Sequence, residues 1–424
     1  MNMGLLILLL LFAVVAVGFW RKINVGFLSI AVAVAFGYGT GLYSAKDIIG
    51  GFSASLFMTL LGVTLFFGLV QSNGCIELVM KKLVRLFGRQ IWIIPILMYA
   101  VGFSLAAIGP GCVPALAFVA AVAIPLAHQT GYNPIMLMII GDMGSYSGRF
   151  SPITPEGVLI TQLLKEQGIT ANMFPIIMNA LVGTIVLSVI VFAVYKGYRV
   201  KPAEHVESKE ELGDPEKFGW KQILALVSIA AMIFIVIVWN MDVGLASFLA
   251  AAVLALTGAG DEKTAIKNVP WGTLMMVCGV GVLMKMVIGT GGIDVLASAM
   301  ASIMTSGTAP GIIGVTAAVM SWFSSAIGVV FPTLIPTVSA IVSQVGGNTS
   351  AMALTSTIAI FASVAGLSPA STAGAIIMGA YEADPIYGKE KSTNQLFLEM
   401  IKWAVACIAV LAVLAFVGVF GIIR

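Results

Sequence analysis

Apolar residues run along this chain in long uninterrupted blocks, and polar residues are confined to short gaps between them. Blocks of about 17 to 25 residues are long enough to cross the hydrocarbon core of a bilayer as helices. Nothing alternates with the period of two that a barrel strand requires, and only helices and closed barrels satisfy their own backbone in lipid. The pattern predicts ten full spans, at 3–20, 25–43, 55–72, 134–164, 173–199, 221–240, 242–259, 271–289, 349–382 and 396–423. Two further segments, 91–128 and 310–345, are read as re-entrant hairpins. Each has two apolar arms of about 15 to 18 residues around a Gly/Pro-rich tip, Ile108–Pro114 in the first and Ser324–Pro332 in the second. The alternative, a pair of ordinary spans joined by a tight turn, stays open. The first block lacks a preceding positive region and a small-residue cleavage site, so it reads as a retained helix rather than a signal peptide.

Composition agrees with the pattern. Of 424 residues, 59% are hydrophobic and only 10% charged, too few to cover the surface of a soluble domain. Mean hydropathy is +1.05. Cys75, Cys112, Cys278 and Cys407 lie far apart with no CxxC spacing, and His128 and His205 are isolated, so no metal or redox site is legible. With the N-terminus outside, every Lys and Arg except Lys46, Arg149, Lys165, Lys285 and Arg424 falls on the inner side, the bias that sets orientation. The same topology puts both termini outside a multi-pass inner (plasma) membrane protein. It places the polar stretch Lys201–Gly219 in the cytoplasm as a linker.

That linker separates two halves that match at a spacing of 217 positions. Gly41 pairs with Gly258, Lys46 with Lys263 and Gly62 with Gly279, and Ile76-Glu77 pairs with Ile293-Asp294. Ser151-Pro152 pairs with Ser368-Pro369, Thr154 with Ser371 and Gly157 with Gly374. Common order and near-constant offset are hard to obtain by chance. The expected units are therefore 1–200, the linker 201–219, and 220–424. Each unit has five spans and a hairpin, so the second is inverted. The fold class is an all-α polytopic membrane protein of two inverted repeats.

Paired interruptions in corresponding spans point to a transporter's central site. The first is GDMGSYSGRFSPITPEG (Gly141–Gly157), and the second is SVAGLSPASTAG (Ser363–Gly374). Gly, Ser and Pro at mid-span unwind a helix, whose positive N-terminal half-ends then attract anions while freed carbonyls hold a cation. Thr154 suits an N-cap, with Pro155 at the first helical position and Glu156 in the first turn; Ser371 and Thr372 suit the same role in the second half. A charge at a helix centre costs about 2.5 to 3.5 kcal/mol, so each intramembrane charge needs a reason. Arg149 reads either as a bidentate clamp for a substrate carboxylate or as the partner of Asp142 or Glu156. Asp142 reads as a proton or sodium site or as that partner, Glu156 as a first-turn dipole partner, and Lys285 as a snorkelling end-of-span residue. Amphipathic stretches at Ile76–Phe87 and Ile293–Met304 read either as arms linking a mobile body to a scaffold or as ordinary surface helices.

The two hairpins, the paired breaks and the motifs GRFSPITPEG, SSAIGVVFPTLIPTV and GLSPASTAGA resemble the malonate/dicarboxylate carrier family. That family sits in the ion transporter superfamily with the divalent anion:sodium symporters. The resemblance spans nearly the whole chain, although the Ser-Asn-Thr signature of the sodium symporters is absent from both tips. It implies an elevator mechanism, a homodimer and a C3 or C4 dicarboxylate substrate. The expected function is therefore ion-coupled secondary transport, not enzymatic catalysis, with a cation/proton antiporter or oxyanion exporter of the same superfamily as the alternative. A membrane-embedded enzyme would need a nucleophile–base or His/Cys constellation, and a channel would not need paired broken helices. The candidate anion-binding set is Arg149, Ser151, Thr154, Ser324, Ser325, Ser368, Ser371 and Thr372. The candidate ion-coupling set is Asp142, Gly109, Gly111, Ser147, Gly328 and Gly366. Expected partners are a small anion, the bilayer and a second copy of the chain, with no nucleic acid. No cofactor is expected beyond Na+ or H+ as coupling ion.

This topology predicts that cysteines placed at Lys165 and Ser306 react with an impermeant maleimide from outside, and one at Ser208 only from inside. Outside labelling at position 208 would overturn the inverted arrangement.

Overall fold

The computed structural model describes residues 3–76, 78, 79, 82, 91–109, 111–200, 217–239 and 241–422. Most of the linker, most of the Ile76–Phe87 stretch and Pro110 of the first tip lie outside the described residues. Among those described there is no β-strand. Eight helices among the described residues are long and apolar enough to cross a bilayer. The protein is a multi-pass membrane protein.

Helices occupy the expected blocks, with ends set by capping. The second, Val25–Thr40, starts on Asn24, whose side chain accepts from Gly26 and Phe27 N–H, and stops at Gly41 in the left-handed region (φ 70°). It is shorter than expected because that turn forbids continuation. The last, Thr393–Phe416, opens with a Ser392–Gln395 capping box and closes two residues before Gly418 (φ 87°). Two short helices lie outside the expected spans, Ala45–Ile49 and Glu262–Asn268, which precede Ala54–Ser72 and Trp271–Gly289. Their signals were present: a Ser44–Asp47 capping box and the Asp261 cap.

Both mid-span interruptions are breaks. The first broken helix is Pro134–Gly148 followed by Pro155–Lys165, and the second is Ala351–Val364 followed by Thr372–Ala383. Every residue of Pro134–Gly148 is buried, Asp142 included, as is Ala353–Val364. An all-round buried helix lies within protein rather than against lipid. The first hairpin has arms Ile94–Ile108 and Cys112–Thr130; the second has a first arm Ala309–Trp322 and turns at Phe323–Ser325. Winding then resumes at Ala326, so Gly328 and Pro332 sit inside the second arm, not at a long tip as expected. A wide π-turn, Ala326–Val330, accommodates Pro332, whose ring would otherwise crowd the carbonyl four residues before it. The second arms run longer than expected, over Cys112–Thr130 and Ala326–Val345.

Buried apolar residues form three groups. The largest joins both hairpins and both broken helices with Met173–Val194 and Thr393–Phe416. A second collects the first two helices and Trp271–Gly289, and a third collects Ala54–Ser72, Trp220–Trp239 and Val243–Leu256. Gly292–Ala301 buries Ile293, Ala297 and Met300 and touches both the first helix and the second hairpin. His128, near the end of the first hairpin, pairs with Asp384 just past the second broken helix at 2.9 Å. Burial works to raise the Asp384 carboxyl, but His128 and the N–H groups of Tyr387 and Ile386 hold it below the ordinary range.

The first arm of the first hairpin lies against Pro134–Gly148 at backbone contact. A β-carbon built at Gly144 would fall 2.0 Å from the Tyr99 carbonyl oxygen, and one at Gly148 would fall 2.2 Å from that of Phe103. This G-x-x-x-G spacing lets two membrane helices approach closely. Tyr99 then bridges Ser147 (2.9 Å) and Thr184 (2.8 Å) through its hydroxyl. Replacing Gly144 by Ala should force the helices apart and cost about 1–3 kcal/mol, read as a lower melting midpoint of the detergent-solubilised protein. Gly379→Ala is the control of opposite sign: its β-carbon meets nothing within 4 Å, so better helix propensity should leave the midpoint unchanged or higher.

Candidate functional site

The hairpin tips and the helix breaks meet at one cavity of about 520 Å³. Its wall includes Gly111–Pro114 from the first tip, Phe323–Ile327 from the second, Tyr146, Arg149, Pro155 and Glu156 from the first broken helix, and Ala362, Ser363, Gly366 and Ala370–Ala373 from the second. Both tips therefore reach the depth of the breaks. Leu60, Thr64, Phe67, Gly68 and Gln71, with Asn268, Pro270, Thr273 and Leu274, complete the lining.

Four helices begin at this wall: Cys112–Thr130, Pro155–Lys165, the second arm from Ala326, and Thr372–Ala383. The N-terminus of a helix carries about half a positive charge and several N–H groups without intrahelical partners. Two starts are capped by side chains: Thr154 accepts from Gly157 N–H at 3.1 Å, and Ser325 accepts from Gly328 N–H at 3.1 Å. The other two are not. Gly111 (φ 87°) has no side chain to offer, and Ser371 stands at the cap position without bonding its helix. The expected N-cap role of Ser371 is thus not taken up, which leaves its hydroxyl available at the cavity.

Arg149 caps the C-terminus of Pro134–Gly148 and is 7% exposed. Its Nη2 donates to Glu156 Oε1 at 2.8 Å, and its Nη1 donates to Ser363 Oγ at 3.2 Å. The pairing is with Glu156, seven residues on and across the break. Asp142 is buried in the helix two turns earlier and is not part of the wall. Glu156 is more than the first-turn dipole partner expected of it, because it neutralises the arginine. Arg149 Nε and Glu156 Oε2 remain without partners. A β-carbon at Gly111 would stand 3.9 Å from Glu156 Oε2 and equally far from the Pro155 ring.

The remaining candidates divide clearly. Ser324, Ser325, Ser371, Thr372, Gly111 and Gly366 line the cavity. Ser151 and Ser368 lie within the two breaks but off the wall, their carbonyls accepting from the Thr154 hydroxyl and from Ser371 N–H. The Thr154 hydroxyl also bonds the Arg149 carbonyl and accepts from Gly157, so it shapes the break and does not face a ligand. Ser147 is held by Tyr99 in the interface with the hairpin arm. Gly109 (φ 135°) and Gly328 are close-approach positions: β-carbons there would fall 2.0 Å from the Phe67 ring and 2.2 Å from Met276 Sδ. Sequence reading passed over Tyr146, Ser363 and Trp322 as site residues, although Tyr146 and Ser363 stand inside the two interruption motifs.

Residues 7–379 match the family model for citrate transporters. The chain belongs to the citrate transporter family. It is therefore a membrane transporter and not an enzyme, within the ion transporter superfamily that the sequence motifs suggested. No curated protein sequence matches it. Among solved structures, the chain is similar to the YdaH transporter of Alcanivorax borkumensis, with 12% identity, TM-score 0.57, and coverage of 88% of this chain and 87% of the other. It is also similar to MtrF of Neisseria gonorrhoeae, described as one of a class of antimetabolite efflux pumps, with 14% identity, TM-score 0.53, and coverage of 88% and 82%. At these identities the likeness is one of fold. For a citrate transporter family member, a cavity walled by helix N-termini and an arginine is chemically apt. Among the described residues, no cluster of three or more His, Cys, Asp or Glu side chains offers a metal site.

Removing Arg149 alone should be costly, because it strands a buried carboxylate. Arg149→Gln is expected to lose about 3–5 kcal/mol of stability, and the double variant Arg149→Gln/Glu156→Gln to lose less than that single one. Melting midpoints of the purified variants, with Glu156→Gln alone completing the cycle, check the order; single losses that simply add up in the double variant would mean the pair is not coupled.

Proposed function

We propose that this transporter carries small polycarboxylates, the C3 and C4 dicarboxylates and citrate, in an ion-coupled cycle. The observation that carries the reading is the convergence of four helix N-termini on one cavity beside Arg149. Arg149 and Glu156 cancel as charges, so the net attraction for an anion comes from the helix ends, two of which have uncapped amides. The cavity volume suits a molecule of citrate size, and the family's name points to the same substrate. Substrate carboxylates bind to the amides at Gly111–Val113 and Ser371–Ala373, with Arg149 turning its free Nε and one Nη to them. The coupling ion, Na+ or H+, is assigned to Glu156, whose second oxygen is unpartnered at the wall, in preference to the more remote Asp142.

The cycle is proposed as an elevator motion within a homodimer. Element boundaries support an inverted repeat: Met3, Ala54, Pro134 and Pro155 each begin a helix, and so do Trp220, Trp271, Ala351 and Thr372, 217 positions later. Contacts exchange in the same way. Arg149 bonds Ser363, the counterpart of Tyr146, while Gly366, the counterpart of Arg149, abuts Tyr146, where its β-carbon would fall 3.1 Å from the hydroxyl. Swapping the conformations of two such halves produces the opposite-facing state at little net cost. The three buried groups are read as a moving body and two scaffold parts, with Leu56, Leu60, Leu274 and Val277 of the scaffold helices packing against the moving body. Non-helical backbone at mid-membrane is tolerable only inside protein, which favours moving the site intact.

In proteoliposomes, labelled citrate, malonate or succinate should accumulate under an imposed Na+ or proton gradient, each applied alone. Arg149→Lys keeps the charge but loses the planar fork, and should weaken binding roughly tenfold or more while the protein stays folded. Normal affinity in that variant would reassign Arg149 to a purely structural pair. For the elevator, Gln162 on the moving body donates to Ser53 on the scaffold at 2.9 Å. Cysteines at these two positions, joined by a short bifunctional reagent, should stop flux and spare binding; undiminished flux would favour local gating at the tips.

A further inference from the structure

Four of the buried side-chain atoms left without a hydrogen-bond partner belong to residues of the cavity wall: Tyr146 Oη, Arg149 Nε, Glu156 Oε2 and Trp322 Nε1. Buried polar groups are nearly always paired, so an orphan asks for an explanation. A cluster of orphans around one cavity asks for one guest. The arginine and the glutamate already have roles. The phenol and the indole do not, and nothing in the interruption motifs or the ion pair uses them.

We infer that Tyr146 and Trp322 are specificity-determining residues of the transport site, which donate neutral hydrogen bonds to oxygens of the bound anion. An indole N–H is a donor only, so whatever satisfies Trp322 must bring an acceptor. A carboxylate brings acceptors on every oxygen. Tyr146 is 2% exposed, and its hydroxyl has space because position 366 is glycine: a β-carbon there would stand 3.1 Å from the hydroxyl and 3.8 Å from Ser371 Oγ. Tyr146 reaches the site from the first broken helix and Trp322 from the arm leading to the second tip. The pair thus grips the guest from two elements that approach separately along the chain. Neither group carries charge, so they add affinity without the counter-ion that another cation in the membrane would need.

This rests on the reading of the cavity as a carboxylate site, and the test separates the two. Binding of citrate, malonate and succinate to the purified transporter is measured by calorimetry, beside the melting midpoint without ligand. Tyr146→Phe deletes only the orphan hydroxyl. It should weaken binding of the preferred carboxylate about tenfold or more and leave the unliganded midpoint unchanged or raised. Trp322→Phe should weaken binding to a similar degree, and Gly366→Ala, which crowds the Tyr146 hydroxyl, should do so as well. Unchanged affinity in both Tyr146→Phe and Trp322→Phe would overturn the inference while leaving the carboxylate reading intact, and would mean that water satisfies these groups. A lowered unliganded midpoint with unchanged affinity would make them structural and overturn it too. A wild-type transporter that binds none of the three acids would overturn the carboxylate reading and this inference with it.

Discussion

Unwinding a helix in the middle of a bilayer leaves amide and carbonyl groups where no water reaches them, and each unmatched group costs several kcal/mol. This chain does so twice and folds two hairpins to the same place. The rest of the architecture follows from that cost. The first half of the first broken helix is wholly enclosed and that of the second is enclosed from Ala353 on, and the first is clasped by a hairpin arm at backbone contact through Gly144 and Gly148. Within the first break, the Thr154 hydroxyl bonds the carbonyls of Arg149 and Ser151 and caps the next helix, so one side chain satisfies several of the freed groups.

What those breaks leave unsatisfied is as informative as what they satisfy. The Arg149–Glu156 pair is internally neutral, so it does not by itself make a strongly positive pocket. Helix ends do that, and they do it with fixed dipoles that need no counter-charge. A neutral ion pair flanked by uncapped amides suits a ligand that arrives with its own negative charge together with a compensating cation or proton. The buried carboxylate with one free oxygen is where such a compensating charge has least distance to travel.

The two halves share a frame but not a chemistry. At 217 positions from Arg149 stands Gly366, and at 217 from Glu156 stands Ala373. Had both halves carried the arginine, two guanidinium groups would crowd one cavity and repel. Placing glycine opposite gives the Tyr146 ring its space and keeps the ion pair single. In the proposed cycle, symmetry governs the backbone, where alternation between two states would need it, and is abandoned where the ligand, which lacks that symmetry, would be recognised.

Much of this was legible in one dimension. Lipid dictates helix length and forbids exposed backbone, so the spans, the hairpins and both breaks can be read from hydropathy and from Gly and Pro. Caps such as Asn24, Thr154 and Ser392 are local as well, since a cap and the N–H it accepts from lie within three residues. The short helices at Ala45–Ile49 and Glu262–Asn268 carry local caps too, but their few residues are masked by the longer apolar blocks that follow. The partner of Arg149 was not legible: Asp142 and Glu156 stand seven positions to either side, and only the path of the chain through the break decides that Glu156 turns towards it. Nor was the sorting of the hydroxyl residues and glycines. Thr154 and Ser371 occupy matching positions, yet one packs into its break and the other faces the cavity. Gly109, Gly111 and Gly328 look alike in sequence, but only Gly111 lines the site, because Phe67 and Met276 from distant helices fill the space at the other two. Periodicity and capping are properties of neighbours along the chain, whereas a cavity is made by residues whose only relation is that packing brought them together.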